Sequence, residues 1–286
     1  MSLSDVGVRE LLVTGARGKT GREVVAQLAA RGVPVRAGSS RPGEATGTVR
    51  PVVFDWAEPA TWRDAVAGVD AVYLMRPDLE DAPARVAELA SLTPEAHVVL
   101  LSDQSAAALP DTTWERGAEL GVTENVRRWT LLRPSWFHQV LTDTRYYVDS
   151  IRDDGVLPLP TSDARIAFVD ARDIAAVAVA ALLDPDASTG AAYEITGPEA
   201  LTLKEVADLV AAASGRPVEA ADPPIEDAVA GLEPWFAGLL TDVFVRVREG
   251  VFGEISGDVE RIAGRSPISV ATFVQEHADM WRQPVG

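Results

Sequence analysis

The residues best suited to chemistry stand together near the start of the chain, in Thr14-Gly15-Ala16-Arg17-Gly18-Lys19-Thr20-Gly21. An apolar run that reads as a buried strand, Glu10-Leu11-Leu12-Val13-Thr14, leads into them. A helical stretch over 19–31 follows, with Val24, Val25, Leu28 and Ala29 on one face and Gly32 just past its end. In that setting the glycines suit a phosphate cradle. Gly15 permits a sharp turn, Gly18 lets backbone N–H groups approach a pyrophosphate, and Gly21 brings helix and strand close. The helix N-terminus adds partial positive charge beside Lys19 and Thr20. Outside a strand-to-helix setting the same spacing marks only a glycine-rich turn.

The next question is which dinucleotide fits. A site for NAD places a carboxylate at the end of the second strand, ~20 residues on, to bond the ribose 2′-OH. Here that region reads Gly38-Ser39-Ser40-Arg41-Pro42, and the first acid is Glu44. Arg41 with Ser39 and Ser40 can hold a 2′-phosphate, and Arg17 stands close to the same ribose. Two guanidinium groups and no carboxylate point to NADP(H). The alternative is that both arginines are ordinary solvated side chains.

Other chemistry is sparse. There are no cysteines, which excludes disulfides, thiolate metal sites and cysteine nucleophiles. The three histidines, His97, His138 and His277, have no ligand at helical or hairpin spacing, so no metal site is expected. No G-x-S-x-G elbow supports hydrolysis. His138 follows the sixth apolar strand, at the edge of a sheet where ligands bind, and an imidazole there can deliver a proton or simply pack. Asp103, after Ser102 at the end of the fifth, can be a general acid or a helix cap. His97, beginning a strand, reads as structural.

Elements to position these groups follow in a regular rhythm. Strands are expected at 33–37, 52–54, 71–75, 97–101 and 129–133, and helices near 59–67, 81–92 and 113–126, so that strand and helix alternate six times. The strands are continuously apolar, as in a parallel sheet covered on both faces. Beyond Pro134 the rhythm loosens. A short strand is expected at 166–169, an Ala-rich helix over 170–183 and a strand at 193–196. A helix over 201–214 follows with Thr202 and Glu205 at capping-box spacing, and helices over 217–250 cover a cleft with Trp235, Phe236 and Phe244. A last helix is expected over 270–281. The fold class is α/β, a Rossmann-type doubly wound parallel sheet with a smaller C-terminal substrate lobe. The expected division is a dinucleotide domain over 1–134 and, over 135–286, a mixed region that returns elements to the core and builds the lobe.

Composition narrows the partners. The chain has 286 residues, 47% hydrophobic and 24% charged, an ordinary globular mix. A net charge of −17 repels nucleic acid and anionic membranes, and the bland role of that charge is solubility. No uncharged apolar run approaches the ~20 residues of a membrane span. Met1-Ser2-Leu3-Ser4-Asp5 lacks the marks of a signal peptide, and a cytoplasmic location is expected. The state, monomer or homodimer, is left open.

Several segments together resemble the NmrA-like NAD(P)-binding proteins, a branch of the atypical short-chain dehydrogenase/reductase superfamily. They are 13–18; Phe54-Asp55-Trp56; Trp129-Thr130-Leu131-Leu132-Arg133-Pro134 with Trp136-Phe137; Val169-Asp170-Ala171-Arg172-Asp173-Ile174-Ala175; and Tyr193-Glu194-Ile195-Thr196-Gly197-Pro198-Glu199. The likeness covers about 9–215. It implies that Asp55 and Trp56 meet the adenine, that Leu74, Met75, Arg76 and Ser102 line the cofactor cleft together with Pro134, and that Trp136 and Phe137 sit near the nicotinamide. The family includes quinone, enone and imine reducers and also redox-sensing regulators. The chain departs from the wider superfamily in lacking a Tyr-x-x-x-Lys dyad: its tyrosines at 73, 146, 147 and 193 are followed four places on by Pro77, Ser150, Ile151 and Gly197. Glu119 stands near where the lysine is otherwise found. The leading expectation is therefore an NADPH-dependent reductase of a small to mid-sized apolar substrate. A binding-only regulator and a non-redox cyclase or isomerase are the alternatives.

Overall fold

A computed structural model describes residues 10–282. The segment 1–5, where no export signal is expected, lies outside the described residues.

In chain order the elements are β1 Leu11–Val13, α1 Gly21–Ala30, β2 Val35–Ser39, β3 Val49–Val53, α2 Trp62–Val66, β4 Ala71–Met75, α3 Ala82–Ser91, β5 His97–Leu101, α4 Trp114–Thr123 and β6 Arg128–Pro134. Then come β7 Val156–Pro158, α5 Ala171–Leu183, α6 Pro185–Ser188, β8 Ala191–Ile195, α7 Leu203–Ser214, β9 Glu219–Ala221, α8 Ile225–Ala228, α9 Pro234–Arg248, α10 Asp258–Ala263 and α11 Val270–Glu276. The chain divides into two compact units. Residues up to Pro134 join Ala171–Glu194 in one, and Ser135–Asp170 join the residues from Ile195 onward in the other.

The first unit carries a seven-stranded sheet in the order β3-β2-β1-β4-β5-β6-β8. Strands β1 to β6 pair in parallel. Strands β1 and β5 are buried along their whole length, and apart from His97 at the start of β5 their side chains are apolar on both faces. The order turns back at the β1–β4 pair, the switch point beside whose carboxyl ends sheets of this kind bind ligands. One expectation fails here. Strands β2 and β3 are joined by the irregular segment 40–48, not a helix, so alternation is broken once. Pro42, Gly43 and Gly47, the last at φ +57°, prevent a helical crossover. Phe54, Trp62, Val72, Leu89, Val98, Val122 and Leu131 form a core of this unit.

The second unit has its own core, in which Leu157, Phe168, Val206, Val210, Phe244, Phe273 and Trp281 are buried. Thr202 caps α7 with a reciprocal bond from Glu205, so the helix begins at Leu203 and not Leu201. The expected strand at 166–169 is absent. Ile166 bridges Leu201 and Val169 bridges Phe137 as isolated pairs, because neither partner runs alongside long enough to form a ladder. The short helices α6 and α10 and the strands β7 and β9 escaped the sequence pattern; β7 and β9 pair in parallel, and three residues are too few to show a period. The last helix stops at Glu276 and tightens into a 3₁₀ turn over Ala278–Trp281. No helix among the described residues is long and apolar enough to cross a membrane.

Candidate dinucleotide site

The glycine loop leaves β1 and reaches α1 in seven residues. Gly15 sits at φ +59°, where side chains are strained. A Cβ on Gly21 would lie 2.1 Å from the Gly15 carbonyl oxygen and 2.7 Å from its carbon, both backbone atoms. The loop therefore folds on itself at a distance only glycine tolerates. Gly18 N donates to Gly15 O at 2.8 Å, and Ala16 N donates to Gly38 O at 3.1 Å, which ties the loop to β2. No side chain caps the first turn of α1. That open end and the tight turn fit a pyrophosphate, whose oxygens would take the N–H groups a cap otherwise satisfies.

Arg17 is exposed and donates to the Arg41 carbonyl at 3.0 Å. The geometry thus brings Arg17 to the end of β2, beside Ser39, Ser40 and Arg41. Farther along, Trp56 meets Phe54 edge-on at 5.1 Å and Trp62 at 5.3 Å. Asp55 turns its carboxylate onto Ala57 N, and its carbonyl accepts from Trp62 Nε1. Lys19 and Thr20 lie at the loop's far end, Lys19 half-buried and Thr20 buried.

At the end of β4 the expected cleft residues separate. Leu74 is buried in the first unit's core, so its side chain cannot line a cleft. Met75 instead lies against Gly15, its Cε 2.5 Å from where a Cβ would stand. Arg76 pairs with Asp103 at 3.0 Å and lies over the Trp114 ring at 4.1 Å. Asp103 also accepts from Ser105 N and Oγ, a local turn two residues long, so it serves as a turn and ion-pair partner and caps no helix. Pro134 is buried at the end of β6, its carbonyl accepting from Gln104 N.

Ser102 does not face open space. Its hydroxyl donates to Glu119 at 2.7 Å, and Glu119 also receives both arms of Arg133 at 2.8 Å and Arg116 at 2.8 Å. Burial by itself raises the Glu119 carboxyl, but the bonds from Arg133 and Ser102 hold it below the ordinary carboxylate range. Where a dyad lysine is absent, the fold has placed a fully buried carboxylate that joins β5, α4 and β6. The run Trp114-Glu115-Arg116-Gly117-Ala118-Glu119 alone does not show this, because Arg133 comes from another strand.

In the second unit Trp136 packs on Phe244 at 6.0 Å and Phe252 at 6.3 Å. Phe137 is half-buried beside Val169. Trp235 and Phe236 contact each other at 6.2 Å. His138 has the packing role, not the proton-delivering one, of the two its position in the sequence allows. It is fully buried, with Nε2 3.2 Å from Phe168 O, Nδ1 3.6 Å from Asp170 and its ring 5.1 Å from Phe273. A ring so enclosed has no face left for a substrate.

His97 is also structural. Thr130 Oγ1 donates its proton to Ser188 O, so the His97 Nε2 beside it at 2.9 Å must be the donor. Burial, with Arg128 nearby, pushes its pKa down to about 4. A neutral ring is favoured, so its contribution to stability is complete above the unfolded value of about 6.5 and declines as pH falls toward 4. The His97 ring resonances are expected to titrate near that lower value; a midpoint near 6.5 would contradict the burial.

The NAD(P)H-binding family matches residues 15–185. The chain belongs to that family. It is an NAD(P)H-dependent oxidoreductase. It is 32% identical to an NAD(P)H azoreductase of Xenophilus azovorans, over 94% of this chain and 98% of that protein. It is 34% identical to a (4-alkanoyl-5-oxo-2,5-dihydrofuran-3-yl)methyl phosphate reductase of Streptomyces griseus, over 94% and 98%. Its fold matches an NADPH-dependent quinone oxidoreductase of Escherichia coli solved with NADPH, at TM-score 0.79 and 21% identity, over 93% and 99% of the two chains.

Proposed function

We propose that this oxidoreductase uses NADPH in preference to NADH and reduces a small to mid-sized apolar organic substrate carrying a carbonyl, enone, quinone or imine group. The carrying observation is the hydrogen bond from Arg17 to the Arg41 main chain, which brings two guanidinium-bearing residues to the end of β2, whose own run Gly38-Ser39-Ser40-Arg41 contains no carboxylate. Relatives named as an NAD(P)H azoreductase and as a (4-alkanoyl-5-oxo-2,5-dihydrofuran-3-yl)methyl phosphate reductase support reduction of an unsaturated organic substrate.

The bound nicotinamide supplies hydride, so the chain's own tasks are binding, orientation and exclusion of water. Gly15, Gly18, Gly21, Lys19 and Thr20 would hold the pyrophosphate. Ser39, Ser40, Arg41 and Arg17 would hold the 2′-phosphate, and Asp55 with Trp56 the adenine end. Met75 and Arg76, at and just past the carboxyl end of β4, would border the dinucleotide beside the glycine loop. Trp136, stiffened by Phe244 and Phe252, offers a flat apolar surface for an organic ring. The proton that completes reduction comes from water or from the substrate, because His138 is enclosed and Asp103 is engaged by Arg76 and Ser105.

Arg41→Ala is expected to narrow the NADPH-over-NADH affinity ratio by ~10- to 100-fold while leaving NADH binding nearly unchanged, through loss of a charge-assisted contact. Calorimetric titration of both cofactors measures it, and equal affinities in the wild type would overturn the NADPH reading. His138→Ala is expected to lower thermal stability yet keep kcat per folded molecule within about threefold, whereas loss of a true general acid costs ~10²–10⁴-fold. A loss of that size with a neutral carbonyl substrate would restore His138 as the proton donor.

A further inference from the structure

Tyr73 lies in the middle of β4, fully buried, one strand away from the glycine loop. It touches both ends of that loop. Its carbonyl accepts from Thr14 N at 3.0 Å and from Thr14 Oγ1 at 3.1 Å, where the loop leaves β1. Its hydroxyl donates to Thr20 Oγ1 at 2.8 Å, where the loop enters α1. A single residue thus spans the turn, with main chain at one end and side chain at the other. Thr14 Oγ1 in turn accepts from Met75 N at 2.8 Å, so the same strand grips the loop's start twice.

The hydroxyl pair has a further property. Two hydroxyls carry two protons, and the bond between them uses one. Tyr73 is fully buried and Thr20 nearly so, and no other partner for either hydroxyl is present among the described residues. Thr20 has helical backbone angles, and its side chain does not cap α1. A buried donor without an acceptor is costly, so the arrangement favours arrival of an acceptor at Thr20. The chemistry that meets this need at the mouth of a helix is an anionic oxygen.

We propose that Tyr73 is a positioning residue for dinucleotide binding: it clamps both ends of the glycine loop and holds the Thr20 hydroxyl so that the spare proton of the pair is offered to a phosphate oxygen. This rests on the reading that the loop binds the pyrophosphate. The clamp explains why a large phenol occupies the core of a strand whose neighbours are aliphatic. A phenylalanine would fill the same space but let the Thr20 hydroxyl turn away.

The test is a double-mutant cycle on the full chain, with Kd for NADPH read by titration and stability by thermal unfolding. Tyr73→Phe and Thr20→Val are each expected to raise Kd about three- to tenfold, the usual range for one hydrogen bond. The double variant is expected to be no weaker than the weaker single one, because both act through one pair. Thr20→Ser, which keeps the hydroxyl, is expected to bind as the wild type does. Val98→Ala, a cavity in the first unit's core away from the loop, is expected to lower the melting temperature and leave Kd unchanged. Tyr73→Phe with wild-type Kd, or full additivity of the two changes, overturns the clamp alone. A wild type without measurable affinity for NADPH or NADH overturns the loop reading as well.

Discussion

Gly21→Ala is expected to weaken NADPH binding by about 100-fold or more while the rest of the fold persists. The added Cβ meets the Gly15 carbonyl at 2.1 Å and the Gly15 carbonyl carbon at 2.7 Å, and neither can swing aside as a flexible side chain would. The loop must open to make room. Opening moves Gly18 away from Gly15, lifts the first turn of α1 off β1 and misaligns N–H groups that bind phosphate only when they converge. Overpacking alone typically costs about 1–3 kcal/mol, and lost charge-assisted bonds add to it. The measurement is a fluorescence titration of NADPH, with circular dichroism to show that helix and sheet content remain. Gly238→Ala is the control. It lies within α9 with nothing inside 4 Å of the new Cβ, so it should bind normally and gain about 0.5–1 kcal/mol of stability from better helix propensity. Wild-type affinity in Gly21→Ala would remove the loop from the binding site.

Glu119→Ala carries the largest expected cost to stability, roughly 3–5 kcal/mol, because it strands Arg133 and Arg116 against a buried cavity. For a chain of this size that is a fall in melting temperature of about 6–20 °C. Glu119→Gln keeps the shape but not the charge, and is expected to lie between the two. Acid should act in the same direction. The folded-state pKa of Glu119 is lowered, so its contribution is complete above the unfolded value of about 4.5 and is lost as pH falls through the folded one. The wild type should therefore lose stability more steeply below about pH 4.5 than Glu119→Gln does. Parallel acid-unfolding curves for the two would mean that the buried ion cluster is not the acid-sensitive element.

The parts of this protein that sequence alone determined are those governed by local rules. Apolar runs placed β4 and β5 at their observed limits, because strands covered on both faces are apolar along most of their length. The glycine spacing located the loop between β1 and α1, since a turn this tight tolerates no side chain at 15 or 21. Thr202 and Glu205 marked the start of α7 by a contact three residues long. Short elements such as β7 and β9 left no such trace, and the segment 40–48 interrupted an alternation that composition alone favoured.

Tertiary structure decided what the individual polar groups do. Position along the chain put His138 and Asp103 at the carboxyl edge of a sheet, yet Phe168, Asp170 and Phe273 enclose the one, while Arg76 and Ser105 occupy the other. Leu74 and Met75 are neighbours in sequence but point to opposite faces of β4, and only Met75 reaches the glycine loop. Tyr73, one more tyrosine without a lysine four residues on, holds the loop from beneath because β1 and β4 are adjacent in space although Thr14 and Tyr73 are 59 residues apart in sequence. Glu119 became a buried ion partner for the same reason. Local sequence records which groups a segment carries. A hydrogen bond between strands depends on the register and order of the sheet, and these are set by packing over the whole unit.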